Sequence, residues 1–524
     1  MRQEMLERNG AGKALARCGI GALRDRTART KLAVLAAAAI ASLAANAFFE
    51  KATPESQGVP SAAIERYISA SETELDGIHS FVLVRHGKII AEGYWAPFSA
   101  DRTHLLYSHS KSFTSTAAGF LVDDGKLDLD ERLVDIFPEY APKDAARNVA
   151  EMRVRDLLTM NAGQNSEAAY NDPEGDWVKA FMNNNTQRLP GSGFKYDSCA
   201  THMVAAIVEK KTGKKLMDFL QERLFSKLGI EGAWSNTSPT GIACGGWGMN
   251  MKTRDLAKFG LLYLNEGDWN GERVLSRDWV RLATSLQTRT DRNGDGDWNQ
   301  GYGFQFWRCR HNCYRADGAF GQYTVVMPEK DAVISITAGL SDMGKELNLV
   351  WKHLLPAMQE GALPEDSAAS SALDKRCRGL SFPLVKGEAK GADANLGAKF
   401  ALSGDQKRFF FKDATLSKKG DGWEVALVNE CGAQKFPVGF GKWEYGEMSV
   451  DKREYETLGA LPGVQPTAAS GAWISPDTFQ TKVFLVNTPA WFLFTFKFNA
   501  DGTLGFTSKF WGWGGGDTKL VGRR

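Results

Sequence analysis

The most informative segment of the chain runs from residue 107 to residue 127 and reads YSHSKSFTSTAAGFLVDDGKL. Four apolar side chains recur at helical spacing and share one face, namely Phe113, Ala117, Phe120 and Leu121. Gly125 follows them, and glycine is a typical helix stop. The pattern predicts a helix with one apolar face, whose N-terminus carries Ser108 and Lys111 in a Ser-x-x-Lys arrangement.

This arrangement suits nucleophilic catalysis. Residues three apart share a helix face, so the lysine nitrogen reaches the serine hydroxyl. A helix N-terminus offers backbone N–H groups and a positive dipole end to a developing oxyanion, and a partly buried lysine has a lowered pKa and accepts a serine proton. Roughly one or two such matches are expected by chance. The chain has two others, at 192–195 and 449–452, but only Ser108 and Lys111 open an apolar-faced helix.

Two further segments carry suitable chemistry. Tyr196 and Ser198 follow the loop PGSGFK and precede a predicted helix. A phenolic oxygen beside a lysine serves as general acid or base, although a simply packed tyrosine is the alternative. Residues 318–322 read GAFGQ before the predicted strand TVVM. A glycine-flanked segment brings a backbone N–H close to a substrate oxygen, and here a plain turn is the alternative.

Taken in order, these segments resemble the serine β-lactamase and penicillin-binding-protein superfamily. They resemble in particular its class C-like branch of esterases, D-amino-acid peptidases and 6-aminohexanoate-dimer hydrolases. The supporting phrases also include RVRDLLTMNAGQ, GGWGMNMKTRDLAKFGLLYLNEGDWNGE and GYGFQFW. The resemblance covers about residues 55–358.

The resemblance implies a role for each motif residue. Ser108 would be the acylated nucleophile, Lys111 its proton acceptor, and Tyr196 the relay that protonates the leaving group. The backbone N–H groups of Ser108 and Ala319 would hold the oxyanion, and water would then release the acyl group. No metal and no other cofactor would be needed.

The chain departs from the superfamily pattern at two points. Tyr196 opens a Tyr-x-Ser where β-lactamases and transpeptidases have Tyr-x-Asn or Ser-x-Asn, and GAFGQ lacks their lysine or histidine. An ester or amide hydrolase therefore fits better than a β-lactamase or a transpeptidase. Ser198 and Gln322 are candidate substrate-binding residues, with bracing of the strand as the alternative for Gln322. Tyr170 could line the pocket or simply face solvent.

Composition and the N-terminal segment indicate an exported globular protein. The chain has 524 residues, is 43% hydrophobic and carries a net charge of +2, which favours neither disorder nor nucleic-acid binding. Residues 32–47 read LAVLAAAAIASLAANA after several basic side chains and end in a small-x-small signal. We expect cleavage after Ala47 and a secreted or periplasmic protein. A membrane association would follow only if this leader stayed uncleaved.

Cysteine usage fits export but fixes no pairing. Beyond the leader the chain has Cys199, Cys244, Cys309, Cys313, Cys377 and Cys431. An even count in an exported chain suggests disulfides. Proximity and domain assignment favour Cys309–Cys313 and Cys377–Cys431, with buried thiols as the alternative.

The remaining pattern predicts the architecture. A hairpin is expected over SFVLVR and KIIAEGYW, a strand pair over TVVMPEKDAVISITA, and helices at 61–72, 153–160, 200–211, 253–265 and 344–355. With the resemblance, this implies a β-lactamase-like α/β (α+β) catalytic domain over 48–358, an antiparallel sheet flanked by helices plus a helical subdomain. The signal peptide would occupy 1–47.

The C-terminal part follows a different pattern. Residues 359–375 are small and polar and are predicted to be a linker. Strands are expected at 409–411, 423–425, 482–486 and 491–498, the last with strictly alternating phenylalanines. Residues 376–524 are therefore predicted to form an all-β barrel or sandwich, loosely similar to lipocalin-like domains.

Other motifs carry little weight. Residues 291–297 (DRNGDGD) resemble the start of a calcium loop, but Tyr302 stands where the bidentate Glu would be, so a turn is favoured. No Gly-x-Ser-x-Gly, His-Glu-x-x-His or Gly-x-Gly-x-x-Gly occurs.

The sequence therefore predicts an exported serine hydrolase that acts on a small-molecule ester or amide. A non-hydrolytic penicillin-binding-like sensor on the same scaffold is one alternative. Function in the β domain, with the first domain as support, is another. The sequence does not determine the oligomeric state.

Overall fold

The computed structural model describes residues 49–141, 147–164, 175–184, 188–290, 294–450 and 463–524. Residues Lys51–Arg524 form one compact unit, and of the separate segment Met1–Glu50 only residues 49 and 50 are described. The predicted leader therefore lies outside the described residues. Within the described part, no helix combines the length and the apolar character that a membrane span requires.

The α-helices of the described residues are Ser61–Glu74, Ser110–Asp123, Leu133–Ile136, Arg147–Glu151, Val154–Leu158, Trp177–Met182, Ser198–Thr212, Leu216–Leu220, Ser226–Leu228, Thr253–Leu264, Arg277–Thr284, Met343–Leu349 and Ser367–Arg378. Each helix predicted from the sequence is confirmed, with ends that differ by a few residues. The last predicted one, at 344–355, is helical to Leu349 and continues as a π-helical turn, Val350–Leu354.

The strands of the first region are β1 (Ile78–Arg85), β2 (Lys88–Tyr94), β3 (His104–Leu105), β4 (Trp234–Ser235), β5 (Met249–Met251), β6 (Asp268–Trp269), β7 (Glu272–Arg273), β8 (Trp307–Arg308), β9 (Tyr314–Gly318), β10 (Gln322–Met327) and β11 (Ala332–Ala338). Six of them form one antiparallel sheet in the order β2-β1-β11-β10-β9-β8. The predicted hairpin β1–β2 and the predicted pair β10–β11 are both confirmed.

The central strands are buried on both faces because helices cover both faces. Tyr323, Val325 and Ile334 pack with the helices Ser61–Glu74 and Met343–Leu349 in one core cluster. On the opposite face, the helix Thr253–Leu264 lies so close that a Cβ on Gly260 would come within 2.6 Å of Thr324 and Val333. This layering is the predicted helix-flanked antiparallel sheet.

The stretch 359–375 was predicted to be a linker, but part of it is helical. Its second half belongs to the helix Ser367–Arg378, whose N-terminus is capped by the Asp366 side chain accepting from the Ala369 N–H at 2.9 Å. Leu373 and Cys377 are buried against the core cluster, and Arg376 forms ion pairs with Glu65 and Glu72. The small, polar composition concealed a helix with one narrow apolar face. The domain boundaries themselves stay a prediction.

The C-terminal region forms one ten-stranded antiparallel sheet that nearly closes into a barrel. Its strands are β12 (Lys399–Ser403), β13 (Asp413–Lys419), β14 (Gly422–Asn429), β15 (Gly432–Val438), β16 (Glu444–Val450), β17 (Gly463–Ser475), β18 (Thr478–Leu485), β19 (Trp491–Phe498), β20 (Leu504–Trp511) and β21 (Gly516–Arg523). Their order is β15-β14-β13-β12-β21-β20-β19-β18-β17-β16. The two end strands, β15 and β16, meet where Ser449 N–H donates to Gln434 Oε1 at 3.0 Å.

The alternating phenylalanines of β19 fill the barrel core as predicted, since Phe492, Phe494, Phe496 and Phe498 are all buried. The strand expected at 409–411 is wrong. Phe409 and Phe410 have φ values of 60° and 39°, which no strand tolerates. The Gln406 side chain pins this irregular segment by bonding both backbone groups of Phe411, and the rings of Phe409 and Phe411 turn into the barrel core.

The expected disulfides are also wrong, because Cys309, Cys313 and Cys377 are thiols. Cys309 Sγ accepts from Arg315 Nη1 at 3.1 Å, and Cys313 Sγ donates to His311 O at 3.3 Å. Burial raises the pKa of the Cys309 thiol to about 11. These side chains belong to the sheet core, the alternative that sequence reasoning left open.

The barrel packs directly on the first region. Phe484 and Val486 of the barrel form an apolar cluster with Phe98. The chain after β18 also bonds to β3, where Leu105 N–H donates to Asn487 O at 2.7 Å. The barrel is therefore positioned beside the segment that leads into Ser108.

Candidate active site

Ser108 lies in the 3-10 turn Tyr107–His109, which leads directly into the helix Ser110–Asp123. Tyr107 has a φ of 48°, in the left-handed region that a tyrosine rarely adopts. The turn is fixed to β5, since Leu106 N–H donates to Met249 O at 2.9 Å. Ser108 is therefore half-buried and lies two residues before the helix begins at Ser110.

Lys111 reaches Ser108 as the spacing predicts. Its Nζ lies 3.1 Å from Ser108 Oγ, 3.0 Å from Ser198 Oγ and 2.6 Å from Gly246 O. The lysine is 1% exposed. The terminal nitrogen is thus held by three oxygens, one of which is the predicted nucleophile.

Tyr196 and Ser198 flank the start of the helix Ser198–Thr212. Asp197 between them caps this helix by accepting from the N–H groups of Cys199 and Ala200. The Tyr196 ring stacks on Trp307 with centroids 5.7 Å apart, and its own centroid lies 4.7 Å from Lys111 Nζ. The structure therefore brings four predicted residues together, namely Ser108, Lys111, Tyr196 and Ser198.

The segment GAFGQ forms the turn between β9 and β10, beside the Ser108 turn. Gly318 packs so closely that a Cβ there would overlap the carbonyl oxygen of Leu106 and lie 3.1 Å from the His109 nitrogen. Phe320 and Gly321 both have positive φ values, 65° and 90°. Ala319, the expected second oxyanion donor, directly follows Gly318 and so belongs to the turn that packs against residues 106–109.

Gln322 belongs to the scaffold of this turn. Its amide nitrogen donates to Ala319 O at 3.0 Å and to Ala338 O at 2.7 Å. Its amide oxygen accepts from Ala338 N–H at 3.2 Å. Gln322 therefore braces the strand, which was one of its two expected roles, and it holds the Ala319 backbone in place.

His109 lies inside the motif, but its side chain is part of the buried core. Its Nε2 shares a 2.8 Å hydrogen bond with Thr324 Oγ1, and its ring packs on Phe113 and Phe259. Burial lowers the pKa of His109 to about 3, so the imidazole is neutral at pH 7. Burial also raises the pKa of the Tyr107 phenol.

Sequence reasoning missed the backbone acceptor at Gly246. Gly245 makes it possible, because a Cβ there would lie 2.8 Å from Ala205 Cβ and 2.9 Å from Thr114 Oγ1. Thr114 Oγ1 in turn donates to Gly245 O at 2.9 Å. The doubled glycine in GGWGMN was the available signal, since paired glycines mark close approaches of the backbone.

Of the two weaker candidates, Tyr170 and the calcium-like segment 291–297, the structure describes only residues 294–297. Tyr170 lies outside the described residues, as do residues 291–293 of the calcium-like segment. Asp297, at the end of that segment, accepts from Arg310 and from Trp351 Nε1. In the ranges that the structure describes, no group of three or more His, Cys, Asp or Glu side chains is arranged to hold a metal ion.

A Ser-x-x-Lys pair at the start of a helix, beside the β9–β10 turn of a helix-flanked antiparallel sheet, defines a β-lactamase-like domain. Residues 49–350 match the family model described as Beta-lactamase, and the chain belongs to this family.

Individual relatives are similar over parts of the chain. A 6-aminohexanoate-dimer hydrolase from Paenarthrobacter ureafaciens is 29% identical over 281 residues, 49% of this chain and 71% of the relative. Penicillin-binding protein 4 from Amycolatopsis lactamdurans is 30% identical over 179 residues, 33% of this chain and 44% of that protein. The structure of D-amino acid amidase from Ochrobactrum anthropi SV3 aligns with a TM-score of 0.45 and 20% identity, over 57% of this chain and 99% of the amidase. The 6-aminohexanoate-dimer hydrolase shows that hydrolases are among the homologues.

Proposed function

We propose that the protein is an exported serine hydrolase that cleaves ester or amide bonds through a covalent acyl-enzyme. The observation that carries the proposal is the 3.1 Å separation of Lys111 Nζ and Ser108 Oγ, within a site where the lysine is buried. A hydroxyl is a poor nucleophile until a neighbouring base removes its proton. This pair supplies both groups at hydrogen-bond distance.

In the proposed reaction, Lys111 as a neutral amine takes the Ser108 proton while Oγ attacks the substrate carbonyl carbon. The backbone N–H groups of Ser108 and Ala319 stabilise the oxyanion of the tetrahedral intermediate. When the bond to the leaving group breaks, Tyr196 delivers a proton to the departing oxygen or nitrogen, and Lys111 resupplies Tyr196. Water then attacks the acyl-enzyme by the reverse route and releases the acid. Apart from the attacking water, every step uses groups of the chain itself.

The site favours simple esters and amides over β-lactams and peptidoglycan stems. The turn 318–322 contains no lysine or arginine, so no cation of this turn would meet a substrate carboxylate. Ser198 supplies a hydroxyl where an asparagine amide stands in β-lactamases. The name of the 6-aminohexanoate-dimer hydrolase supports an amide substrate.

The predicted leader supports a proposal about where the protein is located, and the proposed reaction supports one about its partners. We propose cleavage after Ala47 and a secreted or periplasmic enzyme that acts on a small molecule, without nucleic acid and without metal. The N-terminal sequence and the intact mass of the protein recovered from an expressing cell test this part. A mass that includes residues 1–47 would replace export by membrane anchoring.

The central test is intact mass after treatment with a fluorophosphonate, which phosphonylates activated serines. The matched control is Ser192→Ala, because Ser192 and Lys195 form an equally spaced Ser-x-x-Lys pair in an exposed loop. We expect one adduct on the wild type and on Ser192→Ala, and none on Ser108→Ala. No adduct on the folded wild type would contradict the proposal.

Turnover separates the hydrolase from the penicillin-binding-like alternative. Under the proposal, product from p-nitrophenyl acetate or from short amides exceeds the enzyme concentration many times. Release of a single equivalent, with the acyl group retained on Ser108, would instead identify a sensor that traps its ligand.

A further inference from the structure

An aromatic side chain of the barrel stands beside the candidate active site. Trp513 lies in the loop 512–515 between β20 and β21 and is 48% exposed. Its ring is T-shaped to Phe320, with centroids 5.2 Å apart, and T-shaped to Tyr107, at 6.4 Å. Tyr107 directly precedes Ser108, and Phe320 directly follows Ala319. The barrel therefore adds a ring that contacts the residue before Ser108 and the residue after Ala319.

The loop that carries Trp513 is held in place from both sides. Arg408 Nη1 donates to Trp513 O at 2.9 Å and also to Gly514 O. Gly514 has a φ of 61°, and a Cβ on it would overlap the Arg408 guanidinium. Trp511 packs its ring on Phe320 and stacks on Trp491. Trp513 is thus an exposed aromatic residue on a braced support, which is typical of a binding surface.

The proposed roles of the catalytic groups indicate which part of the substrate would meet Trp513. Tyr196 protonates the leaving group, so the leaving group lies toward the cluster formed by Tyr196 and Trp307. The carbonyl oxygen lies between the N–H groups of Ser108 and Ala319. The acyl portion takes the remaining position on the carbonyl carbon, and the exposed ring of Trp513 is the apolar surface that contacts both donor segments.

We propose that Tyr107, Phe320 and Trp513 form an acyl-side wall that receives an uncharged, apolar acyl group, with an arylalkanoyl group as the fitting class. This inference rests on the proposed hydrolase function. The wall is made of aromatic rings, and its exposed surface comes chiefly from Trp513, because Tyr107 is 5% exposed. Stacking and burial of the exposed Trp513 surface would supply the selectivity.

The test compares kcat/KM for p-nitrophenyl 4-phenylbutyrate with that for p-nitrophenyl acetate, which share a leaving group. We expect Trp513→Ala to lower the value for the phenylbutyrate about ten-fold while the acetate changes less than about two-fold. The matched control is Phe440→Ala, which removes another exposed barrel aromatic whose ring contacts Trp423. The control should leave the ratio of the two values unchanged.

Each result has a distinct meaning. A ratio for Trp513→Ala equal to that of the wild type, with Ser108 still labelled by the fluorophosphonate, overturns the acyl-side wall alone. Failure of the wild type to label at all overturns the hydrolase and the wall together. Should Trp513→Ala lose its circular dichroism signal, Trp513→Leu takes its place in the same comparison, because it keeps apolar volume and removes the ring.

Discussion

Gly245→Ala is expected to disable Lys111 without touching any proposed catalytic side chain. A Cβ at residue 245 would lie 2.8 Å from Ala205 Cβ, whereas carbon atoms pack at about 3.6 Å. The backbone must therefore retreat by about 0.8 Å. Gly246 moves with it, and its carbonyl oxygen, now 2.6 Å from Lys111 Nζ, would end beyond good hydrogen-bond distance. The φ of Gly245 is not in the left-handed region, so alanine adds crowding and no backbone strain.

A displacement of this size in a catalytic constellation lowers the rate by about ten- to a hundred-fold. We expect Gly245→Ala to lower kcat for p-nitrophenyl acetate by that factor with little change in KM. The rate of fluorophosphonate labelling should fall in parallel, because both reactions need Lys111 to take the Ser108 proton. Stopped-flow or plate assays of both reactions at pH 7 measure the effect.

The matched control is Gly471→Ala. Its Cβ would lie 2.7 Å from Val438 Cγ1 inside the barrel, so it crowds a core to a similar degree but has no contact with Lys111. Both substitutions should cost about 1–3 kcal/mol of stability, measured by urea unfolding. Equal activity of the two variants would refute the argument that the Gly246 carbonyl holds the lysine.

Three further outcomes follow from the contacts described. Lys111→Met should lower kcat/KM by about a thousand-fold, since general-base catalysis contributes about 100- to 10,000-fold, while the circular dichroism spectrum stays native; activity within ten-fold of the wild type would contradict Lys111 as the base. Ser276→Ala should cost about 1 kcal/mol in urea unfolding, because the Ser276 side chain caps the helix Arg277–Thr284 by accepting from Trp279 N–H at 3.0 Å. Ser285→Ala, at the exposed other end of that helix, is the control and should cost far less. Lowering the pH from 6.5 toward 4 should destabilise the protein, because burial lowers the pKa of three histidines to about 4, 4 and 3, namely His104, His202 and His109. The unfolded chain takes up protons as the pH falls below its ordinary histidine pKa of about 6.5, and the folded chain takes them up only near the lowered values, so each histidine lowers the stability by up to about 1.4 kcal/mol per pH unit within that window. A urea midpoint that is constant from pH 7 to pH 4.5 would contradict this.

The sequence predicts this molecule best where local chemistry decides the structure. The spacing of Ser108 and Lys111 on an apolar-faced helix placed the two groups at bonding distance, and the alternating phenylalanines of β19 placed their rings in the barrel. Both signals lie within one element, so periodicity alone reveals them.

Contacts between distant parts of the chain explain why the other features could not be predicted from the sequence. Phe409 and Phe410 look like a strand by composition, but the Gln406 side chain and the barrel core hold them in a left-handed bend. Cys309 and Cys313 are close in sequence, yet the buried Arg315 bonds to one of them inside the sheet core. Gly246 acts through a carbonyl oxygen, which has no side-chain signature. The neighbours of Trp513 lie in another region of the chain, and no local pattern relates them.

Trp513 and Ser108 are supplied by different parts of the chain, and this separation has an evolutionary consequence. With Trp513 in the proposed role, changes in a glycine-rich hairpin loop of the barrel alter which acids are accepted, while the bond-breaking groups stay under the constraints of the first region. Substrate preference and reactivity then evolve along independent lines. A loop exchange between homologues would transfer preference without rebuilding the chemistry.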